Sequence, residues 1–314
     1  MTVAVFMLSL CGAMMLGMPI AFALIACGIA LMFHLDMYDV RILAQNLIIG
    51  ADSFALMAVP FFLLVGELMN AGGISRRIIN FGMALVGHIR GGLGYVAIIA
   101  AFIFAGLSGS AVADTAALCA IMIPMMGEAG YNKAGCAALI GSGGIVAMIL
   151  PPSIAFIVFG AIGNVSVVKL FIAGIFPGIL LCSSLAGAWW YISRKQQVVV
   201  FPKKTKAEVW QATREASWAL FLPILIMVGI KGGVVTPTEA AVGAVFYTLF
   251  LCLVVYRSVK ITQVPHILMA AAKTTSVIMF LIAAAMVSAW LIAIANIPGE
   301  VTEWLEPLMG NRLL

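Results

Sequence analysis

Charge is what this 314-residue sequence has least of: Lys, Arg, Asp and Glu make up 9% of it, against 64% apolar residues. A soluble globule of this size covers itself with roughly 25–35% charged residues, so a water-facing exterior cannot be assembled here. Soluble enzymes are excluded, and a formal net charge of +5 provides no basic face for a nucleic acid. Histidine is nearly missing. His34, His88 and His266 all fall in loops or arms between the apolar runs, which leaves no imidazole for catalysis or proton relay at membrane depth. Cys11, Cys27, Cys119, Cys136, Cys182 and Cys252 stand singly in apolar surroundings, with no CxxC pair and no Cys/His cluster. They read as small hydrophobes and not as metal ligands. The first apolar stretch has neither a basic segment before it nor a small-residue cleavage site after it, and is expected to remain as a membrane helix.

What is present is a succession of long apolar runs. About 20 apolar residues carry a helix across a ~30 Å hydrocarbon core, and seven runs qualify: 3–33, 52–72, 136–163, 168–193, 215–231, 236–256 and 274–296. An eighth, 92–127, is too long for one straight span and too short for two spans with a loop. Its middle reads Gly106-Leu107-Ser108-Gly109-Ser110, which suits two half-length helices meeting at a tip. The basic cluster Arg194, Lys195, Lys203, Lys204 and Lys206 marks the cytoplasmic side. Counting spans from it puts Arg76, Arg77, Arg90 and Lys133 on that same side only if 92–127 re-enters. The preceding segment 75–90 reads as an interfacial amphipathic helix, and Trp189, Trp190, Trp218 and Trp290 as interfacial belt residues.

An inverted order follows. Residues 1–90 supply spans, a short amphipathic stretch near 41–51 and the arm 75–90; residues 91–200 supply the hairpin 92–127, the broken helix 136–163 and the span 168–193. Residues 201–314 add one linking span and then restart the order in the opposite sense, through 236–256, 257–273, 274–296 and an arm at 298–309. Inverted repeats with discontinuous helices at their interface are a signature of secondary transporters. The fold class expected is an all-α membrane protein of that kind, with a re-entrant helical hairpin and a broken helix.

Two breaks carry the candidate chemistry, because non-helical backbone at membrane depth is tolerated only where it is buried in protein or lines a cavity. At the tip 107–115, serine hydroxyls and the carbonyls ending one helix offer oxygen ligands to a hard cation, while the start of the next helix favours an anion. In the second break, Pro151 and Pro152 lack N–H groups, which frees the carbonyls of Ala147 and Met148. Ser153 then restarts the helix with a second positive dipole end. Close helix packing at the Gly/Ser tip and a plain proline kink are the structural alternatives. Asp114, deep in an apolar segment, is either functional or a helix cap. Glu67 lies near the inner end of its span, where an interfacial or helix-pairing role is expected and not ligand contact. Thr236-Pro237-Thr238-Glu239 has the capping-box pattern of a helix start.

The segments GLSGSAVADTAAL (106–118), SGGIVAMILPPSIAFIVFG (142–160) and TPTEAAVGAVFY (236–247), in a chain opening with GMPIAFAL (17–24) and VPFFLLVGELMNAGG (59–73), resemble the large membrane subunit of tripartite ATP-independent periplasmic (TRAP) transporters. The resemblance covers essentially the whole chain. It implies a multi-pass protein of the bacterial inner membrane that imports a small organic anion, a carboxylate or sugar acid, with sodium as coupling ion and no other cofactor. A periplasmic solute-binding protein would deliver the substrate, a small four-helix membrane subunit would accompany the chain, and the transport unit would move as an elevator. Sodium would be held by Ser108, Gly109, Ser110, Ala147, Leu150 and Pro152, and substrate would lie near Asp114, Thr115, Pro151 and Ser153. The family also implies a second hairpin and a second broken helix. Neither follows residue 298, and the ending Gly310-Asn311-Arg312 is expected to mark a C-terminally incomplete version.

Three other readings share parts of this pattern. Gly106-Leu107-Ser108-Gly109 matches the GxSG pattern of intramembrane serine proteases, but no span carries the histidine base that such a serine requires. A stand-alone sodium/carboxylate transporter of related architecture differs only in lacking the periplasmic partner. A passive channel would need a ring of like charges that the breaks do not carry.

Overall fold

The computed structural model describes residues 1–194 and 199–309, with side chains in the last helix as far as residue 303. Lys195 of the basic cluster and the ending Gly310-Asn311-Arg312 lie outside the described residues. Every regular element among the described residues is helical: α1 (Thr2–Met15), α2 (Ile20–His34), α3 (Val40–Ala51), α4 (Ala58–Ala71), α5 (Ile74–Val86), α6 (Gly92–Ser108), α7 (Ala111–Glu128), α8 (Lys133–Gly144), α9 (Val146–Ile149), α10 (Ile154–Ile162), α11 (Val167–Ser193), α12 (Lys206–Lys231), α13 (Pro237–Phe250), α14 (Val264–Ile294) and α15 (Ile297–Met309). A helix keeps its backbone bonds within one segment, which is the requirement that hydrocarbon imposes. Among the described residues five helices are long and apolar enough to cross a membrane, or up to seven if each bent pair counts as one span. The chain is therefore a multi-pass membrane protein by composition and architecture together.

Several expected boundaries move. The run 3–33 is two helices, because Gly17 adopts φ 79° and Pro19 takes the N-cap of α2; an uninterrupted apolar run hid a turn. The two helices of 92–127 are not half-length. With 17 and 18 residues they reach roughly 26 Å each at 1.5 Å per residue, because their connection uses only Gly109 and Ser110. α12 begins at Lys206, where Thr205 and Glu208 form a capping box, nine residues before the apolar run itself. α14 likewise absorbs most of 257–273 and carries His266 in its opening turns. The capping box at Thr236 and Glu239, the arm α5 and the arm α15 match the pattern in the sequence.

The chain divides into two compact units, Met1–Ser53 with Thr275–Leu314, and Phe54–Thr274. In the first, Leu31 and Met32 of α2 bury against Val287 and Leu291 of α14, the Ser288 hydroxyl donates to the Leu24 carbonyl at 3.2 Å, and the Thr2 hydroxyl ties α1 to α15 by donating to Glu300 at 2.8 Å. That bond helps to hold the Glu300 carboxyl below the usual carboxylate range. The second unit repeats the pattern internally. Its α13 packs along α4, with the Cys252 thiol on the Leu68 carbonyl at 3.5 Å and the Thr238 hydroxyl on the Phe54 carbonyl at 3.1 Å. Its α12 packs beside both α13 and the arm α5. Within their units, α12, α13, α4 and α5 thus pair as do α1, α2, the end of α14 and α15.

The base of the α6–α7 hairpin is locked by a residue expected at the membrane interface. Trp189 is 1% exposed, donates its indole N–H to the Gly91 carbonyl at 2.8 Å and stacks on Tyr131 with ring centroids 5.8 Å apart. Gly94 admits it: a β-carbon at Gly94 would collide with the indole ring. Trp190, the next residue, is the one facing outward, 50% exposed and stacked on the Arg194 guanidinium at 3.6 Å. Helical phase separates these neighbours by about 100°, which adjacency in the sequence conceals. Replacing Gly94 by Val should therefore destabilise the protein by roughly 1–3 kcal/mol through overpacking. Thermal unfolding in detergent checks this; a midpoint equal to that of the parent protein would contradict the close seat of Trp189.

Candidate functional site

The α6–α7 connection is two residues long. Gly109 ends α6 in the left-handed region, φ 62°, and Ser110 caps α7, its hydroxyl oxygen accepting from the Ala113 N–H at 3.4 Å. Glycine is required at the first position on two counts: its backbone conformation disfavours a side chain, and a β-carbon there would strike the Pro152 carbonyl oxygen. The tip thus rests directly on the second break. The Ile154 N–H donates to the Gly109 carbonyl at 3.4 Å, joining the two discontinuities in one place.

The broken helix is present as expected. α8 and α9 run to Ile149, residues 150–153 are non-helical, and α10 resumes with a 42° change of direction. The Pro151–Pro152 peptide is cis. Of the two carbonyls freed by the prolines, that of Met148 is not available for a ligand. The Ser153 hydroxyl donates to it at 2.6 Å and also accepts the Phe156 N–H at 3.4 Å, so one side chain repairs both ends of the break. Ala147 keeps a carbonyl whose fourth residue onward is Pro151, without an N–H. Ala147 and Leu150 are buried together with Ala105 of α6 and Val146, and Pro151 and Pro152 are buried beside them.

Ser108, Asp114 and Ser110 form one cluster at the tip. The Ser108 hydroxyl donates to Asp114 Oδ1 at 2.5 Å and accepts the Ser110 N–H at 3.1 Å. Asp114 is 6% exposed and Ser108 3%. Because Ser110 performs the capping, Asp114 is released from that role and points back at the end of α6. Its second oxygen, Oδ2, is buried without a hydrogen-bond partner among the described residues. An unsatisfied buried oxygen of an ionisable group is expensive, and the nearby N-terminus of α7 offsets part of that cost. Thr115 is occupied locally: its hydroxyl donates to the Ala111 carbonyl at 2.6 Å, and it sits so close to Gly144 that a β-carbon there would meet its oxygen. The group bonded to Ser108 is a carboxyl and not the imidazole that the protease reading requires.

One participant was not legible in the sequence. Gly66 of α4 faces the tip, where a β-carbon would lie 3.1 Å from that of Ser108; a single glycine among apolar residues gives no signal of what it abuts. Glu67, the next residue, is half-buried in α4. Behind the tip, a cavity of about 560 Å³ with an almost wholly apolar wall lies between α6, the break, α11 and α12, bordered by Gly106, Leu150, Pro151 and Pro223.

The family described as "Tripartite ATP-independent periplasmic transporter, DctM component" matches residues 7–314. The chain is 52% identical over 315 residues to the 2,3-diketo-L-gulonate TRAP transporter large permease protein of Escherichia coli, covering 100% of this chain and 74% of that protein. It is 40% identical over 270 residues to the C4-dicarboxylate TRAP transporter large permease of Pseudomonas aeruginosa, covering 86% and 63% of the two. It is 36% identical over 303 residues to the sialic acid TRAP transporter large permease of Vibrio cholerae, covering 96% and 71%. With helices suited to a bilayer, a hairpin seated on a Pro-broken helix and a family match over nearly its entire length, the chain belongs to the DctM component family, the large permeases of TRAP transporters.

Proposed function

We propose that the chain carries a small organic anion across the bacterial inner membrane in symport with sodium, as the large permease of a tripartite system. A periplasmic binding protein would deliver the substrate and a small four-helix membrane subunit would accompany the chain. The relatives named for diketogulonate, sialic acid and C4-dicarboxylates support a carboxylate or sugar acid as the substrate class. Their shared designation as TRAP permeases supports the tripartite arrangement over a stand-alone carrier.

The observation that carries the sodium assignment is the partnerless Asp114 Oδ2, buried at a hairpin tip that rests on a proline break. A sodium ion beside it would find that oxygen, the remaining lone pair of Ser108, and carbonyls of the tip and of the break near Ala147, Leu150 and Pro152. These are hard oxygen donors of the type alkali and alkaline-earth cations prefer. The ion would offset the carboxylate charge and so allow an anionic substrate to approach Asp114, Thr115, Pro151 and the start of α10 at Ser153. Without the ion, two negative charges would meet there. Coupling follows from that electrostatic order: cation first, anion second.

The likeness of pairing inside the two units supports an inverted repeat, and a hairpin that re-enters from the cytoplasmic side together with elevator movement of the hairpin and broken helix is the transport cycle we infer. Two outcomes are expected in the assembled transporter. Replacing Ser108 and Ser110 together by Ala should raise the sodium concentration needed for half-maximal uptake, and unchanged sodium dependence in the double variant would sink the assignment. Asp114→Asn retains the shape but removes the charge, and should weaken sodium dependence by about tenfold or more, the scale of one charge-assisted contact. Sodium titrations of uptake in proteoliposomes, at fixed binding-protein concentration, measure both.

A further inference from the structure

A polar recess of about 470 Å³ lies away from the tip, between the arm α5, the opening turns of α12 and the residues that follow α13. Arg77 enters it from α5, Gln211, Arg214 and Trp218 from α12, and Tyr256 from the end of the π-helical turn 251–255. The Arg77 guanidinium lies over the Tyr256 ring, 4.1 Å from its centroid. Stacking of this kind fixes the guanidinium plane and leaves its N–H edge free for an oxyanion. Tyr256 is itself pinned, its hydroxyl donating to the Glu215 carbonyl at 2.8 Å. The Glu215 carboxylate is turned to Gln211, whose amide donates to it at 3.0 Å. Among the described residues neither arginine forms an ion pair. Two guanidinium groups against one carboxylate leave one net positive charge in the recess.

The position of the recess selects its occupant. Apart from Lys231 at its end, α12 carries its charged residues from Lys206 to Glu215 and continues in apolar sequence to Ile230, so Arg214 and Trp218, one turn apart, stand where the helix passes from water to hydrocarbon. Trp218 is 47% exposed and Val255 adds an apolar wall, which suits an amphiphile better than a fully hydrated ion. The arm α5, amphipathic and basic, packs against α12. We infer that this recess binds the phosphodiester headgroup of an anionic phospholipid. The phosphate oxygens would meet Arg77 and Arg214, and the acyl chains would leave along the apolar length of α12.

The test uses the purified full chain, delipidated in detergent, and native mass spectrometry with added phosphatidylglycerol, phosphatidylcholine or inorganic phosphate. The parent protein should retain phosphatidylglycerol, and the R77Q/R214Q variant should need about tenfold more of it for the same occupancy, the scale expected when charge-assisted bonds to phosphate are lost. Arg76→Gln, an exposed neighbour on α5 outside the recess, should behave as the parent does, which separates this site from general attraction to basic surface. Thermal unfolding checks that the double variant is folded. If it is not, Arg214→Gln alone, whose side chain is exposed, replaces it with the same expected direction. Equal retention of phosphatidylglycerol by the folded variant and the parent would overturn the proposal. So would equal retention of phosphatidylcholine, or displacement of the lipid by millimolar phosphate, which would mark a site for free anions.

Discussion

The structure depends on one constraint: at membrane depth, each backbone N–H and carbonyl has to find its partner inside the protein. Continuous helices meet it without help, and most of this chain is of that kind. The hairpin tip and the proline break do not, and their neighbours compensate. Ser153 accepts one orphaned N–H and donates to one orphaned carbonyl, Ser110 caps α7, and the Gly109 carbonyl receives the Ile154 N–H from the opposite break. Two defects that would each be costly in lipid are docked together, so that each supplies part of what the other lacks. Among the described residues of the two breaks, one carboxyl oxygen of Asp114 is left as a buried side-chain atom without a partner, beside the Ala147 carbonyl that Pro151 cannot serve.

Small residues make this docking possible. Gly66, Gly109 and Gly144 each stand where a β-carbon would press on the tip, on the Pro152 carbonyl or on Thr115. In a bilayer, where burying apolar surface against lipid gains little, close approach of helices through small residues supplies much of the association energy. Trp189 uses the opposite device at the other end of α6: one large side chain fills the space left by Gly94 and ties the start of the hairpin to α11 through its indole N–H. The hairpin is held at both ends, by packing at its base and by backbone hydrogen bonding at its tip.

Much of this arrangement was legible in the sequence, for physical reasons that differ from residue to residue. The break at 150–153 was legible because proline cannot donate a hydrogen bond, whatever surrounds it. The tip was legible because Gly109 and Ser110 interrupt an apolar run at its middle. The caps at Thr236 and Glu239 were legible because a capping box is local. The turn at Gly17 to Pro19 was missed inside a run of apolar residues that continues on both sides. The start of α12 at Lys206 was missed because a helix continues past the apolar window that announces it. Trp189 was assigned to the interface because tryptophans near span ends commonly lie there, and only packing distinguishes it from Trp190.

The sequence by itself determined that the chain lives in a bilayer, that its helices are broken at two places, and that these breaks hold serine hydroxyls, proline-freed carbonyls and one carboxyl. Each of these is a property of composition or of bonds between residues a few positions apart. Tertiary structure alone decided which of those groups remain free. The Met148 carbonyl is consumed by Ser153, Thr115 by Ala111, and one oxygen of Asp114 by Ser108, while the other oxygen has no partner among the described residues. It likewise brought Arg77 onto Tyr256 across almost 180 residues of chain. Whether a polar group is spent or available depends on what lies within about 3 Å of it, and that is set by helices that meet in space after separating in sequence.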